Sequence, residues 1–119
     1  MGKMTSTSAD LAQSLVTGTL AAVGLGSPIP LLGNFNGAIW GTFVGTIQMQ
    51  TSFDGGVTWI PVINKRTGQN IVFTAPGALQ EDEVEPGVLY AFACTAYTSG
   101  TINYRISEGA AAGRLERLT

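Results

Sequence analysis

Histidine is absent from the 119 residues, and cysteine occurs once, as Cys94. The first absence removes the commonest general base and a common metal ligand. The second excludes an internal disulfide, and together they exclude the usual zinc ligand sets. Charge is scarce as well: six Lys and Arg against eight Asp and Glu make up 12% of the chain, about half the usual share. The basic residues Lys3, Lys65, Arg66, Arg105, Arg114 and Arg117 are scattered and the net charge is −2, which gives no electrostatic basis for nucleic-acid binding. No apolar run is long enough for a membrane span, since Leu11 to Leu25 is interrupted by Gln13, Ser14, Thr17 and Thr19. Gly2 behind Met1 fits a myristoylation pattern only formally, and the start is a poor secretory leader. The chain therefore reads as made and folded in a cytoplasm, with neither membrane nor nucleic acid as partner.

What the chain has in plenty is Gly, with 16 copies, together with Thr, Ser and Ala. That mixture favours strands and turns over surface helices, and a surface so poor in charge suggests cover by partners. Phe43 to Phe53 gives the cleanest strand signal: Phe43, Gly45, Ile47, Met49, Thr51 and Phe53 fall on one side, and Val44, Thr46, Gln48, Gln50 and Ser52 on the other. It runs into Asp54-Gly55-Gly56 and then the β-rich Val57 to Ile60, which predicts a hairpin because glycine accepts the positive φ of a tight turn. Leu11–Leu25 is ambiguous between a strand and a short helix and is read as a strand, because Val16, Thr17, Thr19 and Val23 favour strand and Gly18 and Gly24 disfavour helix. Further strands are expected over Phe35–Trp40, Trp59–Ile63, Asn70–Thr74, Val88–Tyr97 and Thr101–Ser107. A bend is expected at Gly41-Thr42 and a tight turn at Thr98-Ser99-Gly100. Val88–Tyr97 is almost continuously apolar and reads as a central strand covered on both faces. Ala75 to Pro86, holding Glu81, Asp82, Glu83 and Glu85, reads as a long acidic loop.

Strands at intervals of roughly ten residues with turn signals between them are the pattern of a sandwich or barrel. The expected organisation is a flexible N-terminal arm over 1–10, one β-sandwich domain over 11–108 and a C-terminal tail over 109–119. The domain is all-β, with seven to eight strands in a jelly-roll-like order, an immunoglobulin-like sandwich being the alternative, because both give the same strand spacing.

Catalytic constellations are missing. There is no Ser-His-Asp set, no phosphate-cradling loop with its lysine, and no Gly-x-Gly-x-x-Gly. No cofactor and no enzymatic activity are expected. The acidic run could supply paired carboxylates, or calcium ligands at Asp82 and Glu85, but a solvated loop is the simpler reading. Cys94, among apolar neighbours and without a histidine to activate it, reads as a small buried residue.

The best-defined motif is Ser52-Phe53-Asp54-Gly55-Gly56-Val57-Thr58-Trp59, which resembles an Asp-box, Ser-x-Asp-x-Gly-x-Thr-Trp. The box occurs in sialidase-type propellers and in unrelated β-proteins, and its physics is structural. Asp54 accepts hydrogen bonds from turn amides, Gly55 and Gly56 allow the turn, and the Trp59 ring packs over the loop. Ser52, Asp54, Gly55, Gly56, Thr58 and Trp59 are accordingly expected to brace a hairpin. One copy in so short a chain cannot make a propeller.

A wider resemblance joins FNGAIWGTFVGTIQMQTSFDGGVTWIPV to VEPGVLYAFACTAYTSGTINYRIS. Taken together, these stretches resemble a family of small tailed-bacteriophage proteins, which are in turn similar to capsid cement or decoration proteins. The resemblance implies a jelly-roll-like sandwich on the outer capsid surface of the virion. It would form a homo-oligomer, dimer or trimer, bind the major capsid protein and stabilise contacts between coat subunits. It brings no catalytic residues and no motif-defined contact residues. The alternative is a receptor- or carbohydrate-binding module of a tail fibre or spike, suggested by Trp40, Trp59, Tyr90, Tyr97 and Tyr104, since sugars stack on exposed aromatics.

Overall fold

A computed structural model describes residues 14–108. The expected arm over 1–10, residues 11–13 of the expected first strand and the expected tail over 109–119 lie outside the described residues. Ten strands follow in order: β1 Leu15–Leu20, β2 Gly24–Leu25, β3 Ile29–Pro30, β4 Gly33–Trp40, β5 Phe43–Ser52, β6 Ile60–Pro61, β7 Val72–Phe73, β8 Gly77–Glu83, β9 Leu89–Gly100 and β10 Ile102–Glu108. All pairings are antiparallel. One sheet has the order β1-β10-β4-β8 and the other β2-β9-β5-β6, with β3 also on β9 and β7 also on β5.

Since β2 and β3 share the partner β9, and β6 and β7 share β5, each pair acts as one interrupted strand. Counted so, eight strands lie in the orders 1-8-3-6 and 2-7-4-5. First pairs with last, second with seventh, third with sixth and fourth with fifth, as in one long hairpin rolled up on itself. That is a jelly roll rather than an immunoglobulin sandwich.

The roll closes where β4 and β5 meet β10 and β9. Trp40 lies opposite Asn103, and three residues further on Phe43 lies opposite Gly100, so the register is unbroken although the chain has passed from one sheet to the other. The two sheets are thus halves of one bent ribbon. At the bend the Thr101 amide donates to the Thr42 carbonyl (3.1 Å). Gly41 and Gly100 take φ of 116° and 93°. A Cβ on Gly100 would stand 2.2 Å from the Thr42 carbonyl oxygen, and one on Gly41 would stand 2.6 Å from that of Thr101. Glycine is needed at both because backbone meets backbone. The expected tight turn at Thr98–Gly100 is therefore corrected. β9 runs through to Gly100, and register shifts between Val44/Gly45 and Thr46/Ile47 leave Thr98 and Thr95 as bulged residues.

The core lies between the sheets. Ile47 and Met49 of β5, Phe92 of β9, Ile39 of β4 and Ile102 and Ile106 of β10 are fully enclosed. Phe92 sits at its centre, edge-on to Phe73 and Tyr104 with centroids 6.2 and 6.1 Å away. Tyr104 occupies a slot left by two glycines, since a Cβ on Gly18 would lie 2.5 Å and one on Gly26 3.0 Å from its hydroxyl. That hydroxyl accepts from the Ser27 amide (2.8 Å).

Three further expectations are corrected. Leu11–Leu25 is not a single strand, because the chain turns at Ala21–Val23 and β2 joins the other sheet. Val57 to Trp59 belong to the loop, and Phe53 is exposed because the strand ends at Ser52. The acidic segment is no loop: Gly77–Glu83 forms β8, paired along its length with Gly33–Ile39. Its position at a sheet edge is what lets a strand carry three successive acids.

Candidate functional site

The Asp-box turn lies between β5 and β6, where Thr51 faces Ile60 and Gln50 faces Pro61. Ser52 is fully buried, and its hydroxyl donates to Asp54 Oδ1 (2.8 Å) while accepting from the Gly56 amide (2.9 Å). Asp54 Oδ1 also accepts from the Thr58 amide (2.8 Å), and Trp59 Nε1 donates to the Gly56 carbonyl (3.0 Å). Gly55 and Gly56 take φ of 76° and 98°. The six residues singled out in the sequence thus form one network that turns inward on its own backbone. The Thr58 amide, then the Thr58 and Ser52 hydroxyls, hold the exposed Asp54 carboxyl down at about 2, against an ordinary value of 3.8. Such a group accepts hydrogen bonds and does not exchange protons near neutrality.

The five aromatics considered for sugar stacking are dispersed. Tyr90 and Tyr104 are core residues, and Tyr97 is half-buried with its hydroxyl on the Gly100 carbonyl (2.7 Å). Trp40 is exposed at the bend, while half-buried Trp59 sits in the Asp-box loop at the far end of β5. No shared platform forms from these five.

Two of the acidic side chains, those of Asp82 and Glu83, are engaged with neighbours. Asp82 is paired with Lys65, and the Tyr90 hydroxyl donates to Glu83. Burial, then that carboxylate, pushes the Tyr90 hydroxyl above its ordinary range. The Glu85 amide donates to Glu83 Oε2 (3.0 Å). Asp82 and Glu85, the suggested calcium ligands, are not brought together with a third ligand, and among the described residues no group of three or more potential metal-ligating side chains occurs. Cys94 is buried, donates to the Ala96 carbonyl (3.2 Å), and has its thiol pushed up by burial.

The pairing also defines a surface that no motif announced. Across the outer face of the six-stranded sheet run the directly opposed rows Leu25–Ala93–Gln48–Val72 and Ala91–Gln50–Pro61, with Ala96–Thr46 and Ser99–Val44 beyond them. None of these side chains is charged. Leu25, Val72 and Val44 are exposed, and Gln50 donates across the rows to Gln48 (2.8 Å). The apolar run of β9 is buried on this side by the shortness of Ala91 and Ala93 between their neighbours, not by a further layer among the described residues. The outer face of the four-stranded sheet differs: its rows include Thr17–Arg105–Ala38–Ala78 and Asn34–Asp82. The signal available in the sequence was the outward set of β5, Val44, Thr46, Gln48 and Gln50, which already lacks charge.

No family model and no curated protein matches this chain. Among solved structures, a crystal structure of Fe(II) HppE is similar, with 14% identity and a TM-score of 0.38. The alignment takes in 80% of this chain and 44% of that one, so the chain spans under half its length. A likeness that slight carries no argument about this chain.

Proposed function

We propose that the chain is a structural bacteriophage virion protein of the cement or decoration type, which binds the major capsid protein on the outer capsid surface as a homo-oligomer and braces contacts between coat subunits. The observation that carries this reading is the relation between the two stretches of the resemblance. Phe35–Val62 contributes β4 and β5, Val84–Ser107 contributes β9 and β10, and these pair with each other in one register through the bend. The two stretches therefore lie side by side as the spine of one scaffold. The uncharged outer face of the six-stranded sheet adds support, since desolvating it against a coat subunit strands no charge. A stable protein contact buries about 1,600 Å², and many copies on a symmetric lattice let each contact be weaker than that.

On this reading the chain has no catalytic task. Heating capsids with and without the protein tests it: bound protein raises the temperature of shell rupture. An unchanged rupture temperature, or absence of the protein from purified virions, overturns it. Copy number separates it from the fibre or spike reading, with hundreds per particle for cement and a handful for a fibre.

A further inference from the structure

The four sheet edges are guarded unequally. β8 carries Glu81, Asp82 and Glu83, with the Lys65–Asp82 pair across it. β2 and β3 are two residues each, separated by Pro28 and ending in Pro30, and β6 and β7 are equally short, with Pro61 in β6. Short strands, prolines and charges are what keep an edge from accepting another strand. β1, Leu-Val-Thr-Gly-Thr-Leu, has none of these: six residues, no charge, no proline, paired with β10 on one side and with nothing on the other among the described residues.

We propose that β1 docks against β1 of a second copy, antiparallel about a two-fold axis at Gly18, so that two four-stranded sheets become one of eight strands. The strand is self-complementary in that register. Thr17 meets Thr19 of the second copy on the outer face, twice over, where both are exposed. Val16 meets Leu20 on the inner face, and these two are only half-buried at the rim of the core they pack against. Pairing completes their burial and satisfies the outward amides and carbonyls of β1. Gly18 adds no side chain at the axis, its Cβ position being taken by Tyr104. The surface deepens the homo-oligomer of the proposed function and rests on that reading only for its biological setting. Measured on the isolated chain, its failure is separate from failure to bind capsids.

The 119-residue chain is expected to sediment as a dimer at high micromolar concentration. Thr17→Glu combined with Thr19→Glu sets like charges opposite each other at two places, with Arg105 still beside position 17. This variant should weaken dimerisation roughly tenfold or more while leaving the monomer folded. Thr17→Glu combined with Thr19→Lys sets opposite charges across the same pairs and should restore the dimer. In the unsubstituted protein, amide exchange within 15–20 should slow as concentration rises, which tests the edge even if a variant folds poorly. A monomer at all concentrations, a trimer, a dimer indifferent to the two glutamates, or no rescue by the opposite charges overturns the proposal.

Discussion

The two ends of this sandwich are closed by different physics. At the bend, Gly41-Thr42 and Gly100-Thr101 lie backbone against backbone, with a space that a single methyl group would overfill. At the Asp-box end, a seven-residue loop is held by side chains: Ser52 and Asp54 take up amides that no strand partner reaches, and the space around Gly55 is open. The first closure tolerates no side chain, whereas the second depends on particular ones. One is indifferent to pH and the other carries an ionised group at its centre.

Gly100→Ala should have the largest effect. The added methyl meets the Thr42 carbonyl and the Phe43 Cα at a positive φ, so it should cost about 3 kcal/mol or more, read from urea unfolding. A loss below that of the Asp-box variants would remove the distinction between the ends. Ser52→Ala comes next, at about 1–2 kcal/mol, because the buried hydroxyl both donates to Asp54 and accepts from Gly56. Gly55→Ala is the control for Gly100→Ala. Its φ of 76° is comparable but a Cβ there meets nothing within 4 Å, so only the left-handed strain remains, about 1 kcal/mol. The difference between the two alanines measures the steric part of the bend.

The smallest effect is acid sensitivity. The Asp54 carboxyl ionises at a lower pH in the folded chain than in the unfolded one. Its contribution is therefore complete above the ordinary value of 3.8 and is lost as pH falls towards about 2. A melting temperature followed down through that window should drop less in Asp54→Asn than in the unsubstituted protein, and equal slopes would remove Asp54 from the account.

Sequence periodicity was legible where one strand face is core and the other is not. From Phe43 to Thr51 the expected inner set is the observed one, and Ile102, Tyr104 and Ile106 of β10 are inward as alternation requires. The Asp-box was legible because its hydrogen bonds are local, all within Ser52 to Trp59. What was hidden depends on distant partners. Glu81, Asp82 and Glu83 look like a loop because solvated acids look the same there and at a sheet edge, and only pairing with Gly33 to Phe35 distinguishes them. Gly41 and Gly100 announce turns, but nothing local says that the chain changes sheet rather than reversing. The bulges at Thr95 and Thr98 exist only relative to β5. The uncharged face joins residues 25, 93, 48 and 72, which no short window contains.

The Tyr104 slot bears on how the protein is made. β1 pairs with β10, Leu15 opposite Ser107 and Leu20 opposite Ile102, and the ring that fills the gap between Gly18 and Gly26 arrives with the last strand. During synthesis the first strand of the sheet to leave the ribosome thus has no native neighbour until nearly the whole domain has emerged. Loop closure over so much chain must precede the contacts that reward it, which places folding in the slow, millisecond-to-second range of all-β domains. An uncharged strand left waiting in this way is exposed to other nascent copies for longer than any other segment of the roll.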